Sequence, residues 1–205
     1  MSTLKTELKM MKHIPNMLTF GRLVLSVVFL AMVYLSPGRA EPKWLYLDIA
    51  FVLFVIAGLT DLADGHLARK FNATSKFGRI VDPLADKVLI CGAFIVFAII
   101  GEPKLFNFSD KTLAIIQWTF IGVIIAREAT VTIVRQWQES RGIKFPATWS
   151  GKLKMFIQAF AVGTVMVKMA HVQTDAWGYW FTSAVYIAAI SITIISGILS
   201  LKKLK

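Results

Sequence analysis

Charge is scarce in this 205-residue chain: 17% of its residues are Asp, Glu, Lys or Arg, where soluble domains carry about 25%. Apolar residues make up 56%, and the mean hydropathy is +0.64. Disorder is thereby excluded and a soluble fold disfavoured. Cysteine occurs once, as Cys91 inside an apolar run, which excludes an intramolecular disulfide and a cysteine zinc site. His13, His66 and His171 are scattered and have no second soft ligand beside them, so nothing suits zinc or copper. Acidic residues are also few, 12 against 23 basic, which gives a net charge of +11 and a pI of 9.9. In a soluble protein that surplus would point to nucleic acid. In an apolar chain it suits anionic headgroups and phosphorylated substrates, and no nucleic-acid partner is expected.

Long apolar runs are what the sequence has in abundance. Six stand out, near 17–36, 44–65, 83–101, 112–134, 152–170 and 176–201, each bounded by charges or by turns such as Ser36, Pro37 and Gly38. A helix rises about 1.5 Å per residue and the hydrocarbon layer is about 30 Å thick, so each crossing takes about 20 residues. The expected fold is an all-α integral membrane protein with six transmembrane helices, forming a single domain over 1–205. Residues 1–15 carry Leu4, Leu8 and Met11 at helical spacing, which suits a short amphipathic juxtamembrane helix. No small-residue cleavage site follows the first run, so it is expected to remain as an anchor.

Basic residues are unevenly shared between alternate loops. On one side fall Lys5, Lys9 and Lys12, then Arg69, Lys70, Lys76 and Arg79, then Arg135, Arg141, Lys144, Lys152 and Lys154, then Lys202, Lys203 and Lys205. The other side has only Arg39, Lys43, Lys104, Lys111 and Lys168. Positive loops stay in the cytoplasm, which places both termini and the second and fourth loops there.

Charges also cut into the helices, all in that same membrane half: Arg22; Asp61 and Asp64; Asp82, Asp86 and Lys87; Arg127 and Glu128; Lys152 and Lys154. An isolated charge in hydrocarbon costs at least about 2.5–3.5 kcal/mol, so several at one depth imply a shared polar cavity. The sixth helix supplies none and is expected to pack at the periphery or against a partner subunit. Asp61 and Asp64 are three apart and Asp82 and Asp86 four apart, which puts each pair on one helix face. Unpaired, four such carboxylates would repel; divalent cations would neutralise them through hard oxygen ligands, so a magnesium-type site with room for two metals is expected. Gly65 and Ala68 remove bulk beside the acids, and Arg69 adds a planar phosphate-binding cation.

The whole pattern runs Asp61, Asp64, Gly65, Ala68 and Arg69, then eight residues to Gly78, three to Asp82 and three to Asp86. It resembles the signature of the CDP-alcohol phosphotransferase family, eight positions at fixed spacing. Within it the chain is similar to the bacterial branch that uses glycerol 3-phosphate as acceptor. That likeness is carried by Ile14, Pro15, Asn16, Thr19 and Arg22, by Thr60 before Asp61, by Pro83 and Lys87, by Arg127 and Glu128, and by Gly151, Lys152, Lys154 and Gln158. The resemblance spans about residues 14–160. Met155 departs from it, standing where that branch usually has threonine.

The resemblance implies transfer of a phosphatidyl group from CDP-diacylglycerol to the hydroxyl of glycerol 3-phosphate, releasing CMP, at the cytoplasmic face of a bacterial inner membrane. It also implies a homodimer working among membrane lipids. Mg2+ or Mn2+, in two sites, would be held by Asp61, Asp64, Asp82 and Asp86, with Asp86 also the general base. Asp64, Gly65, Ala68, Arg69 and Gly78 would bind the nucleotide, and Arg127, Arg135, Lys152 and Lys154 the acceptor phosphate. The alternatives are another acceptor, either phosphatidylglycerol as in a cardiolipin-type enzyme or inositol phosphate, and, from a different class, a cation transporter built on the acidic cluster.

Overall fold

The computed structural model describes the backbone over 14–38, 43–71, 76–105, 108–142, 149–172 and 176–202. Side chains are described over 17, 19–37, 44–60, 87–105, 108–138, 140–142, 149–172 and 176–202. The described residues form six α-helices: α1 (Ile14–Leu35), α2 (Lys43–Phe71), α3 (Lys76–Ile100), α4 (Asp110–Ser140), α5 (Trp149–His171) and α6 (Ala176–Lys202). A 3-10 turn, Ser36–Gly38, follows α1, and there is no strand among the described residues. The juxtamembrane segment expected over 1–15 lies, up to residue 13, outside the described residues.

The chain is an α-helical membrane protein. Apolar stretches long enough to cross a membrane unaided occur in α4 (Asp110–Gln138), α5 (Trp149–His171) and α6 (Ala176–Lys202). Those of the first three helices are shorter, at Thr19–Leu35, Trp44–Thr60 and Lys87–Ile100. Helices α2 and α3 nevertheless outrun the apolar segments, to Phe71 and from Lys76. Hydropathy marks the immersed part of a helix, whereas the backbone hydrogen-bond ladder continues through polar residues until something ends it. At the end of α3 that something is Gly101, with φ +70°. Its N–H donates to Ala98 O, and the Glu102 N–H donates to Phe97 O at 2.9 Å, a Schellman closure that only glycine adopts without strain. Helix α4 starts on Ser109, whose Oγ accepts from the Thr112 N–H, an N-cap.

The chain divides into two compact units within α3, Met1–Ala93 and Phe94–Lys205. In the first, α1 and α2 pack side by side. The buried positions of α1 are Thr19, Arg22, Ser26, Phe29, Val33 and, past its end, Ser36, alternating steps of three and four as a helix-packing seam requires. Phe29 meets Phe54 of α2 with ring centroids 5.3 Å apart. The seam is polar from Thr19 to Ser26 and apolar at Phe29 and Val33, and Arg22 is 1% exposed. In the second unit, α6 packs along both α4 and α5. Phe94, Phe120 and Tyr186 form an aromatic cluster with centroids 4.8–5.9 Å apart. Lys168, in the fifth apolar run and counted with the sparsely charged side, is buried in the last turn of α5 with Nζ 4.7 Å from the Tyr179 ring centroid.

Candidate active site

The charges that sequence reasoning places at one depth converge, within the second unit, on a single carboxylate. Glu128 of α4 accepts through Oε1 from Lys154 Nζ of α5 at 2.6 Å and from Arg127 Nη1 at 2.9 Å. The three side chains are only 15%, 6% and 11% exposed respectively. In so dry a place a cation is tolerated only with a counter-charge, and Glu128 serves two. The trio keeps one net positive charge. Arg127 Nε is buried with no hydrogen-bond partner among the described residues.

One helical turn beyond Lys154, Gln158 is buried and donates from Nε2 to Thr193 Oγ1 of α6 at 3.0 Å. That hydroxyl donates in turn to Ala189 O at 2.6 Å. Ser196 donates to Thr193 O and Ser200 to Ser196 O, so the buried hydroxyls of Thr193, Ser196 and Ser200 are satisfied within α6, as hydrocarbon surroundings require. Gly197 lies against the stem of Arg127. Within this unit α6 packs along both α4 and α5 through a face that carries hydroxyls and glycine, while Trp180, Ile187 and Ile194 on its other side are exposed. Thr, Ser and Gly barely lower the hydropathy of a run that is otherwise mostly Ile, Ala and aromatic residues, and for that reason the face was not legible in composition.

Of the expected acceptor residues, the structure brings Arg127 and Lys154 together. Lys152 is exposed two residues before Lys154, and Arg135 is exposed two turns along α4 from Arg127. Met155 is also exposed. Glu128, which sequence reasoning placed in the motif without a role, is the group that joins the cations. Asp61, Asp64, Gly65, Ala68 and Arg69 lie in the closing turns of α2, and Gly78, Asp82 and Asp86 in the opening turns of α3. Their side chains lie outside the described residues. Each aspartate pair thus sits within continuous helix, so the spacings of three and four do correspond to one turn. A set of hard carboxylate oxygens at that spacing fits a divalent cation of the magnesium type.

Comparison with known proteins shows the family. Residues 12–196 match the model of the CDP-alcohol phosphatidyltransferase family. A probable phosphatidylglycerophosphate synthase of Mycobacterium tuberculosis is 34% identical over 188 residues, covering 91% of this chain and 78% of that protein. CDP-diacylglycerol–glycerol-3-phosphate 3-phosphatidyltransferases of Haemophilus influenzae and Bacillus subtilis are 32% and 30% identical. The alignments cover 92% and 91% of this chain, and 88% and 92% of those proteins.

Proposed function

Because the chain belongs to the CDP-alcohol phosphatidyltransferase family, we propose that it transfers a phosphatidyl group from CDP-diacylglycerol to glycerol 3-phosphate, giving phosphatidylglycerophosphate and CMP. The relatives' named activity supports this acceptor. So does one observation above all: Arg127 and Lys154 are held together in a nearly dry site with one carboxylate between them. A phosphate needs such a pair and a neutral polyol does not.

In this reading Arg127 and Lys154 grip the acceptor phosphate, with Lys152 and Arg135 drawing it in from the cytoplasmic side. Asp86 takes the proton of the attacking hydroxyl. The new acceptor O–P bond forms as the diphosphate P–O bond breaks, and CMP leaves with the electron pair. Gly65, Ala68 and Gly78 leave room for the nucleotide, while Asp64 and Arg69 hold it. Asp61, Asp64, Asp82 and Asp86 would hold one or two Mg2+ or Mn2+ ions, which when bound supply neutralising charge for the diphosphate. The six apolar runs give six crossings in this reading, the distribution of Lys and Arg puts the second and fourth loops in the cytoplasm, and the family resemblance adds a homodimer.

The test is release of CMP by purified protein given CDP-diacylglycerol and, in turn, glycerol 3-phosphate, phosphatidylglycerol and inositol phosphate. Turnover with glycerol 3-phosphate alone is expected. Turnover with another acceptor and none with glycerol 3-phosphate would overturn the acceptor assignment, and no CMP with any would overturn the enzymatic reading.

A further inference from the structure

Helix α6 carries no charge between Ala176 and Leu201, yet one of its residues touches Arg127 of the proposed acceptor site and another touches Gln158, one turn of α5 from Lys154. The first is Gly197. A Cβ added there would stand 3.1 Å from Arg127 Cγ, closer than ordinary carbon contacts of about 3.5–4.0 Å. Cγ lies only two bonds from the α4 backbone, so it cannot swing aside as the tip of a side chain can. Gly92 offers the contrast, since a Cβ there would meet the mobile Leu30 Cδ1, and Gly58 and Gly122 face open space. A shift of a few tenths of an ångström at Cγ is carried outward along the side chain to the guanidinium. There Nη1 is held to Glu128 at 2.9 Å and Nε has no hydrogen-bond partner among the described residues to re-anchor it.

The second residue is Thr193. Its one hydroxyl proton is committed to Ala189 O at 2.6 Å, so towards Gln158 its oxygen can act only as an acceptor. The Gln158 amide is therefore fixed with its nitrogen towards α6, at 3.0 Å, on the same face of α5 as Lys154, one turn away.

We propose that α6 positions the acceptor site, Gly197 setting where the Arg127 guanidinium stands and Thr193 setting the orientation of Gln158. This rests on the reading of Arg127 and Lys154 as acceptor ligands, and it adds the Gln158 amide to them. The two residues touch no substrate in this account; they act through Arg127 and Gln158.

Steady-state CMP release by the full-length protein in detergent, varying each substrate separately, tests it. Gly197→Ala is expected to raise the KM for glycerol 3-phosphate at least fivefold while kcat and the KM for CDP-diacylglycerol stay within twofold. Thr193→Val should raise the same KM about threefold and Thr193→Ser should restore it. In the Arg127→Gln background, Gly197→Ala should change that KM less than twofold, because the group it displaces has gone. Should Gly197→Ala fail to accumulate, the Thr193→Val and Thr193→Ser pair decides alone. An unmoved acceptor KM in both Gly197→Ala and Thr193→Val overturns the role of α6, as does an equal rise for both substrates. If Arg127→Gln itself leaves the acceptor KM unchanged, the acceptor reading fails and this inference with it; if only the α6 variants are silent, the acceptor reading stands.

Discussion

Replacing Glu128 by glutamine keeps the shape of the trio and removes its only negative charge. The two cations it joins, Lys154 at 2.6 Å and Arg127 at 2.9 Å, are 6% and 11% exposed, so water cannot take over as counter-charge. Unit charges about 4 Å apart attract by about 4 kcal/mol at an effective dielectric constant of 20, and Glu128 makes two such contacts. Much of this offsets desolvation of the carboxylate, and removing one partner of a buried pair costs about 3–5 kcal/mol net. Glu128→Gln should therefore lose at least about 3 kcal/mol, a fall in melting temperature of about 6–12 °C for a chain of this size. Lys154→Met should cost less, because Glu128 keeps Arg127. Combining Glu128→Gln with Lys154→Met should recover part of the loss, since one stranded cation has then been removed as well. If Arg127 and Lys154 bind a phosphate, saturating glycerol 3-phosphate should raise the melting temperature of Glu128→Gln more than that of the parent, the dianion replacing the missing charge. Heating purified protein in detergent and measuring the fraction that remains monodisperse reads all four. A Glu128→Gln protein as stable as the parent, or a double variant worse than either single one, would refute the reasoning.

Asp61→Asn, Asp64→Asn and Asp82→Asn are each expected to abolish CMP release while the protein still inserts and purifies, because each removes a charge and little volume; near-normal turnover in any two refutes the metal assignment. Chelation should stop turnover, and magnesium or manganese should restore it. Arg127→Gln should raise the KM for glycerol 3-phosphate about tenfold, or about 1.4 kcal/mol, and Lys152→Gln should raise it by less, with a smaller shift for CDP-diacylglycerol in both. With Cys91→Ala as background, single cysteines replacing Ser75 or Ser140 should resist an impermeant maleimide in intact cells and one replacing Ser109 should react; reversed labelling would put the site on the wrong face.

The all-α membrane fold and the family were legible in the sequence because membrane immersion writes itself in long apolar runs, and because eight residues at fixed spacing make a specific signature. The helix limits were less legible. Helix α2 continues to Phe71 and α3 begins at Lys76, through residues whose polarity says where the membrane ends and says nothing about where hydrogen bonding ends. Lys168 falls inside the fifth apolar run, but its ammonium sits over the Tyr179 ring, an aromatic partner eleven residues away in sequence that only packing reveals. Glu128 could be read as half of a motif, but that it answers Lys154 across two helices depends on how α4 and α5 lie, which no spacing within one helix encodes.

The sixth helix shows why hydropathy misleads most where helices meet inside a bilayer. Burying apolar surface gives little advantage there, since lipid is as apolar as leucine, so close packing and hydrogen bonds have to hold helices together. The buried face of α6 follows that rule at the site end, with Thr193, Ser196, Gly197 and Ser200, while Val185, Tyr186 and Ala189 fill the middle. Helix α5 repeats the order in reverse, Lys154 and Gln158 preceding Ala161, Val162 and Val165, and α4 places Phe120 and Ile124 before Arg127 and Glu128. Within this unit the polar groups of the site therefore end against a packed apolar layer. An ion path needs polar groups at every depth, whereas a transferase needs them only at the depth of its substrate's headgroup, and the second is the arrangement these three helices have.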